Sequence, residues 1–203
     1  MAQNHFQLSV DITMGRPREF SHEEVVDSAV EAFWSNGYEA LSTADLASAM
    51  GVAKSSLYNA FKSKQDVLLY ALARYANMHS AAVRRLVDES DTVGALRQLL
   101  LNVAQCNDDG RGCLLVNTAA ELGAKSVDVQ TELKSGFMAM QKAFAAIIKS
   151  GVQAGTINFS CDADAVALTL VTGIAGMRVL AKGGYSAAEL APFIDLLVQQ
   201  LTA

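Results

Sequence analysis

Proline is nearly missing from this chain: Pro17 and Pro192 are the only two in 203 residues. With so few breakers, and no stretch that alternates polar with apolar residues, helix is expected nearly throughout. Cysteine is scarce and odd in number, at Cys106, Cys113 and Cys161. An odd count without a basic and then apolar leader argues against a disulfide framework and for reduced thiols in a cytoplasm. Histidine occurs three times, at His5, His22 and His79, with no partner four residues away, so neither a metal centre nor a cofactor is expected. There is no glycine-rich phosphate loop, no Gly-x-Ser-x-Gly elbow and no cluster of carboxylates, which removes the common hydrolase and nucleotide-binding classes. The longest uncharged apolar run, Ala165 to Met177, has 13 residues. That falls short of the ~20 needed to cross a bilayer.

What the chain does have is 51% hydrophobic residues divided at intervals by helix caps. Ser21 with Glu24, Ser42 with Asp45, and Ser63 with Asp66 each pair a hydroxyl with an acid three residues on, the pattern of a capping box. The first opens a helix with Val25, Val26, Ala29, Val30, Phe33 and Trp34 on one side and Gly37 as its stop. The second opens Thr43 to Met50, which ends at Gly51. Val52 and Ala53 then turn into Lys54-Ser55-Ser56-Leu57-Tyr58-Asn59-Ala60-Phe61. Leu57 and Phe61 share one face there, leaving Ser55, Ser56, Tyr58 and Asn59 outward with Lys54, Lys62 and Lys64 at the margins. Hydroxyls, an amide, a phenol and cations on a short exposed helix suit a DNA groove. Solvent alone is the competing explanation for such a polar face.

The pattern Gly37-Tyr38, Ser42, Leu46-Ala47, Gly51-Val52, Leu57-Tyr58, Phe61, Lys62 and Ser63-Lys64 resembles the N-terminal signature of the TetR family of transcriptional regulators. The likeness spans about residues 18 to 72 and departs from the family pattern at Leu41 and Ala60. It implies an all-α protein of about nine helices in three parts. These are a flexible extension (1–14), a helix-turn-helix unit (15–65) and an effector-binding and dimerisation bundle (66–203). It further implies a homodimeric repressor, not an enzyme, that leaves a palindromic operator on binding a small hydrophobic or electrophilic effector. The DNA contacts expected are Arg16 and Arg18 on a basic arm, Ser42, Thr43, Lys54, Ser55, Ser56, Tyr58, Asn59, Lys62 and Lys64.

The charge balance runs against this at first sight. The net charge is −5, and residues 1–75 hold 6 Lys and Arg against 9 Asp and Glu. Placement matters more than the total, since DNA senses charge within a Debye length of about 10 Å. From Leu46 to Gln65 there are three lysines and no acid, and most of the acids lie on the first helix.

Beyond Asp91 further caps appear at Ser126, Ser160 and Ser186, with Pro192 expected either to kink the last helix or to mark its start. Val171, Ile174, Met177, Phe193, Ile194, Leu197, Val198 and Leu201 give the last two helices more apolar cover than one core requires. They are expected to form a two-fold dimer seam, a thick internal core being the alternative. The effector is expected among Met78, Leu99, Val103, Cys106, Cys113, Leu114, Phe137, Met140 and Met177, residues that would equally make plain core. Cys106 and Cys113 bracket a polar turn that includes Arg111. Gly112-Cys113-Leu114 also resembles a TetR subgroup that includes regulators responding to electrophiles, which makes redox or electrophile sensing an alternative trigger. Cys161, at a helix start, reads more simply as core. Two other classes stay open: a helical thiol enzyme built on Cys113, and a scaffold that binds no DNA.

Overall fold

The computed structural model describes residues 22–105, 110–157 and 162–201. Arg16, Arg18, Cys106, Cys161, the extension 1–14 and the Ser21 cap lie outside the described residues. Among those described there is no strand, and nine α-helices follow in order: α1 His22–Asn36, α2 Thr43–Ala49, α3 Lys54–Ala60, α4 Lys64–Arg84, α5 Thr92–Gln105, α6 Leu114–Leu122, α7 Val127–Gln153, α8 Ala163–Lys182 and α9 Ala187–Gln199. A 3-10 turn, Arg85–Asp88, extends α4 and carries no sequence signal of its own.

The caps set most of these boundaries. Ser42 accepts from the Asp45 amide while the Asp45 carboxylate accepts from the Ser42 amide, a reciprocal box repeated by Ser186 and Glu189. Ser63 and Ser126 accept from the amides of Asp66 and Val129. Two expectations change. The cap of α8 is Asp162, which accepts from the Asp164 amide at 3.0 Å, rather than Ser160. The last helix starts at Ala187 and runs through Pro192, whose exposed ring costs one backbone hydrogen bond without ending the helix.

Two buried clusters organise the chain. In one, Phe33, Leu46, Leu57, Leu68 and Leu72 of α1–α4 pack with Leu114, Leu115 and Leu122 of α6 and with Val129 and Leu133 of α7. The helix-turn-helix unit therefore shares its core with the first turns of the following bundle, and no gap in packing falls at residue 65. The other cluster gathers Leu96 and Leu100 of α5, Phe144, Ile147 and Ile148 of α7, Met177 of α8 and Ile194 of α9. Helix α4 packs along α7 and joins the two clusters. Helix α8, 20 residues long with mean hydropathy 1.5, is long and apolar enough to cross a membrane, although the uncharged run within it is shorter. One of its sides packs on α7, and Arg178 within it is buried.

Candidate functional site

Helices α2 and α3 meet through a tight turn at Gly51, whose φ of +67° lies in the left-handed region that a side chain rarely adopts. Leu46, Met50 and Leu57 are buried beneath the pair, so the face of α3 is set by its one apolar anchor. Lys54, Ser55, Tyr58, Asn59 and Lys62 stand exposed on one side, with Thr43 and Ser56 half-buried at its edge. Ser42 is exposed, but its hydroxyl is committed to Asp45. Lys64 is turned inward. Its Nζ donates to the carbonyls of Tyr38 at 2.9 Å and Leu41 at 2.8 Å and lies 4.1 Å from the centre of the Tyr38 ring.

The acids of α1 are largely engaged within the protein. Arg74 of α4 grips Asp27 with two bonds, Nε to Oδ1 at 2.7 Å and a terminal nitrogen to Oδ2 at 2.9 Å, and approaches Glu23 at 3.8 Å. That fork holds the Asp27 carboxyl below its ordinary value. Glu31 pairs with Arg111 at 2.6 Å. From Leu46 to Gln65 the lysines flanking α3 are interrupted by no acid, and the first acid beyond them, Asp66, accepts from the Lys62 amide, which reconciles an acidic chain with a polar, lysine-edged recognition surface.

A second feature lies behind this unit. A partly open cavity of about 150 Å³ is lined by α1, α4, α5, α6, α7 and α8, and its wall is chiefly apolar. Leu99, Val103, Cys113, Phe137, Met140, Val171 and Ile174 line it; Met78, Leu114 and Met177 do not. Met78 is 47% exposed on the outer side of α4, while Leu114 and Met177 are buried one in each core cluster. Helical period alone does not say which of two inward positions meets a void. Trp34, Tyr75, His79 and Arg178, none of them among the residues expected from the sequence, add the polar and ring-bearing part of the lining. The one available signal was Arg178, an isolated cation within the apolar stripe of α8.

These four residues form a connected group. The Trp34 indole N–H donates to the Gly112 carbonyl at 2.8 Å, and Arg178 donates to the same oxygen and to the Val103 carbonyl. The Arg111 guanidinium lies 4.0 Å from the centre of the Trp34 ring. Tyr75 meets Trp34 edge-on at 5.5 Å, its ring centre lies 4.2 Å from that of the tilted His79 ring, and Cys113 shares the same wall. Burial, followed by the Arg178 charge, pushes the His79 imidazole below its ordinary value, so the cavity favours its neutral form. Burial likewise pushes the Tyr75 phenol up. Among the described residues no three His, Cys, Asp or Glu side chains gather to hold a metal.

The outward surface of the last two helices differs from the expected seam. Ile194, Leu197, Val198 and Leu201 are buried within the protomer, as is Met177. In α9 the residues 190, 194, 197 and 198, continued by Leu201 just beyond its end, form one stripe, and α5 together with α8 consumes it. The apolar residues left outside are Leu168, Val179 and Leu180 on α8 and Leu196 and Phe193 on α9. Of the expected seam, Phe193 alone is exposed, with Val171 and Ile174 half-buried toward the cavity.

A recognition helix on a three-helix unit, welded to a helical bundle with an apolar cavity at their junction, defines a helix-turn-helix DNA-binding protein with a regulatory domain. Residues 25–71 match the family model for bacterial regulatory proteins of the tetR family, and residues 91–195 match that for the tetracyclin repressor-like C-terminal domain. The chain is 30% identical to the HTH-type transcriptional repressor ComR of Escherichia coli (strain K12), over 87% of this chain and 86% of that one. Its fold is similar to that of a cysteine mutant of the TetR family regulator CifR in complex with 26-base-pair operator DNA (TM-score 0.76, 28% identity, 91% and 98% of the two chains). It is also similar to the reduced form of E. coli NemR (TM-score 0.77, 22% identity, 89% and 97%), a likeness of fold alone. This chain belongs to the TetR family and is a DNA-binding transcriptional regulator.

Proposed function

We propose that the protein is a homodimeric repressor released from a palindromic operator by a small apolar molecule. Two copies would pair through the outer faces of α8 and α9, and the α3 helices would enter successive major grooves about 34–36 Å apart. Lys54, Tyr58 and Lys62 would hold phosphates, and Ser55, Ser56 and Asn59 would read base edges. Such a repressor would work in the cytoplasm, where a bacterial operator lies.

The observation that carries this reading is the composition of the cavity wall. Trp34 belongs to the DNA-binding unit, His79 to the helix that leaves it, and Phe137, Met140, Val171 and Ile174 to the bundle. Any occupant therefore touches both sides of the joint. About 150 Å³ suits a single ring or short branched chain, since apolar voids of that size take up benzene-like molecules. A ligand that prefers a wider cavity shifts the population toward protomers whose recognition helices are wrongly spaced. Operator bands challenged with small aromatic and aliphatic compounds test this, with Val103→Trp as a filled-cavity variant. Release by no compound, or equal release from the filled variant, would sink the idea.

Cys113 favours a second trigger at the same place. Its thiol lies in the cavity wall at the N-terminal end of α6, next to Tyr75. An α,β-unsaturated carbonyl or quinone would take the Cys113 sulfur at its β-carbon as the carbon–carbon π bond opens to an enolate, and the proton lost from the thiol would be returned to that enolate. The adduct would occupy the void permanently. The variant using Cys106 as a resolving thiol rests on a residue outside those described. Release of the wild-type complex by a quinone, abolished in Cys113→Ser, supports this route; equal release from both rules it out.

A further inference from the structure

The cavity is one place where the bundle touches the DNA-binding unit; the far end of α6 is another. Helix α1 ends at Gly37, whose φ of +77° turns the chain so that the next two amides point together to one side. Successive N–H groups after a left-handed residue make a concave anion site. Here the anion is a side chain from 83 residues away. The Glu121 carboxylate accepts from the Tyr38 amide through Oε2 at 3.0 Å and from the Glu39 amide through Oε1 at 2.7 Å.

Two further facts make this more than an incidental contact. Glu121 is the penultimate residue of α6, where the helix dipole disfavours a negative charge, so its local helix gives no reason for an acid. The peptide it grips is also held from the other side. The Tyr38 carbonyl accepts from Lys64 at the first turn of α4, and the same ammonium binds the carbonyl of Leu41, one residue before the α2 cap. A continuous chain of charge-assisted bonds thus runs from α6, through the Tyr38 peptide, to α4 and to the entry of the helix-turn-helix. Lys125, one turn beyond Glu121, adds an exposed pair with Glu39 at 3.1 Å.

We propose that Glu121 is a positioning residue for operator recognition, a strap from the regulatory domain that fixes the orientation of the helix-turn-helix by chelating the amides of Tyr38 and Glu39. This rests on the reading of α3 as a DNA-recognition helix. It predicts that α6 transmits the state of the cavity at both ends. Gly112 just ahead of its start meets Trp34, and Glu121 at its finish meets the α1–α2 turn. Lys64 then acts within the protein as the second hand on the same turn.

The test uses the full chain and two duplexes, one enriched by the wild-type protein from a randomised pool and one of unrelated sequence. Glu121→Gln keeps a single acceptor oxygen and Glu121→Ala keeps none. Expected losses in affinity for the enriched duplex are roughly tenfold and roughly a hundredfold or more, the scale of losing one and two hydrogen bonds to a charged group. Affinity for the unrelated duplex should move little, because phosphate attraction is untouched, while the melting temperature falls modestly with the loss of the intramolecular bonds. Lys125→Ala should leave both affinities within about twofold, as exposed ion pairs contribute little. Amide exchange at Tyr38 and Glu39 should be slow in the wild type and fast in Glu121→Ala. Unchanged preference for the enriched duplex, or equal loss on both duplexes, overturns the proposal. Fast exchange at these amides in the wild type overturns it even if the alanine variant fails to fold. If the wild type enriches no duplex, the DNA-binding reading has failed, and the exchange measurement still decides whether the strap exists.

Discussion

Leu196→Glu and Leu197→Glu, neighbours on α9, should have opposite consequences. Leu197 is 7% exposed within the protomer and touches the close approach of α8, where a Cβ built on Gly173 would lie 3.0 Å from its Cδ1. A carboxylate there has no partner and no water, so the protomer should lose several kcal/mol, a large part of a typical 5–15 kcal/mol of stability. Leu196 is 54% exposed, and a surface change of this kind normally alters protomer stability by about 0.5 kcal/mol or less. If two-fold pairing covers it, about half of a leucine's ~1.5–3 kcal/mol burial is at stake in each copy, hence roughly 2–3 kcal/mol per dimer before any charge penalty. At 1.4 kcal/mol per factor of ten, the dimer dissociation constant should rise at least roughly 30- to 100-fold. Sedimentation velocity over a dilution series, with circular-dichroism melts of the same samples, reads both effects. The expected result is a folded Leu196→Glu monomer and a poorly folded Leu197→Glu. A Leu196→Glu protein that stays dimeric at all dilutions would remove the α8–α9 face from the interface, and a stable Leu197→Glu would refute the packing argument.

Three further outcomes follow from the same geometry. Lys54→Ala with Tyr58→Ala should weaken binding to every duplex and flatten the slope of log affinity against log salt by about 0.9 for each lost phosphate contact, whereas Asn59→Ala should alter sequence preference, as competitive band shifts would show. Leu57→Ala should cost about 2–5 kcal/mol in urea unfolding, since this fully buried side chain is the anchor of α3. His79 has its folded value depressed below 6.5, so the unfolded chain takes up a proton the folded chain refuses; stability from this group is present above 6.5 and is lost as pH falls below it. His79→Phe should flatten that part of the melting profile, and an unchanged slope would show that the imidazole is not held neutral by the cavity.

Caps and period made much of the architecture legible in one dimension. Ser42 with Asp45 and Ser186 with Glu189 form their boxes because all the partners lie within one turn of chain, and Leu57 with Phe61 defines the inner side of α3 for the same reason. Local chemistry of this kind needs no knowledge of the fold, and the family signature from Gly37 to Lys64 is built from it. The regulatory half was less legible because helical period marks a side as inward without saying what it meets. Met140 faces the cavity and Met177 faces solid core, though both sit on apolar stripes. On α9 the period grouped Phe193 with Ile194, Leu197, Val198 and Leu201 as one apolar face, and only the packing of α5 and α8 decided that Leu197 is spent internally while Leu196 and Phe193 are left outside.

Charge roles divide in the same way. That lysines edge α3 is written in the order of residues. That Lys64 turns inward to the carbonyls of Tyr38 and Leu41, that Arg178 and Trp34 share the Gly112 oxygen, and that Glu121 closes on two amides 83 and 82 residues away are matters of tertiary structure. A hydrogen bond acts over about 3 Å in space and carries no memory of distance along the chain. The sequence by itself thus determined that this chain would form capped helices bearing a DNA-recognition pair. Only the folded arrangement of α1, α4, α6 and α8 decided where a cavity would open, which face would be left for a partner, and how the two are tied to the helix that meets DNA.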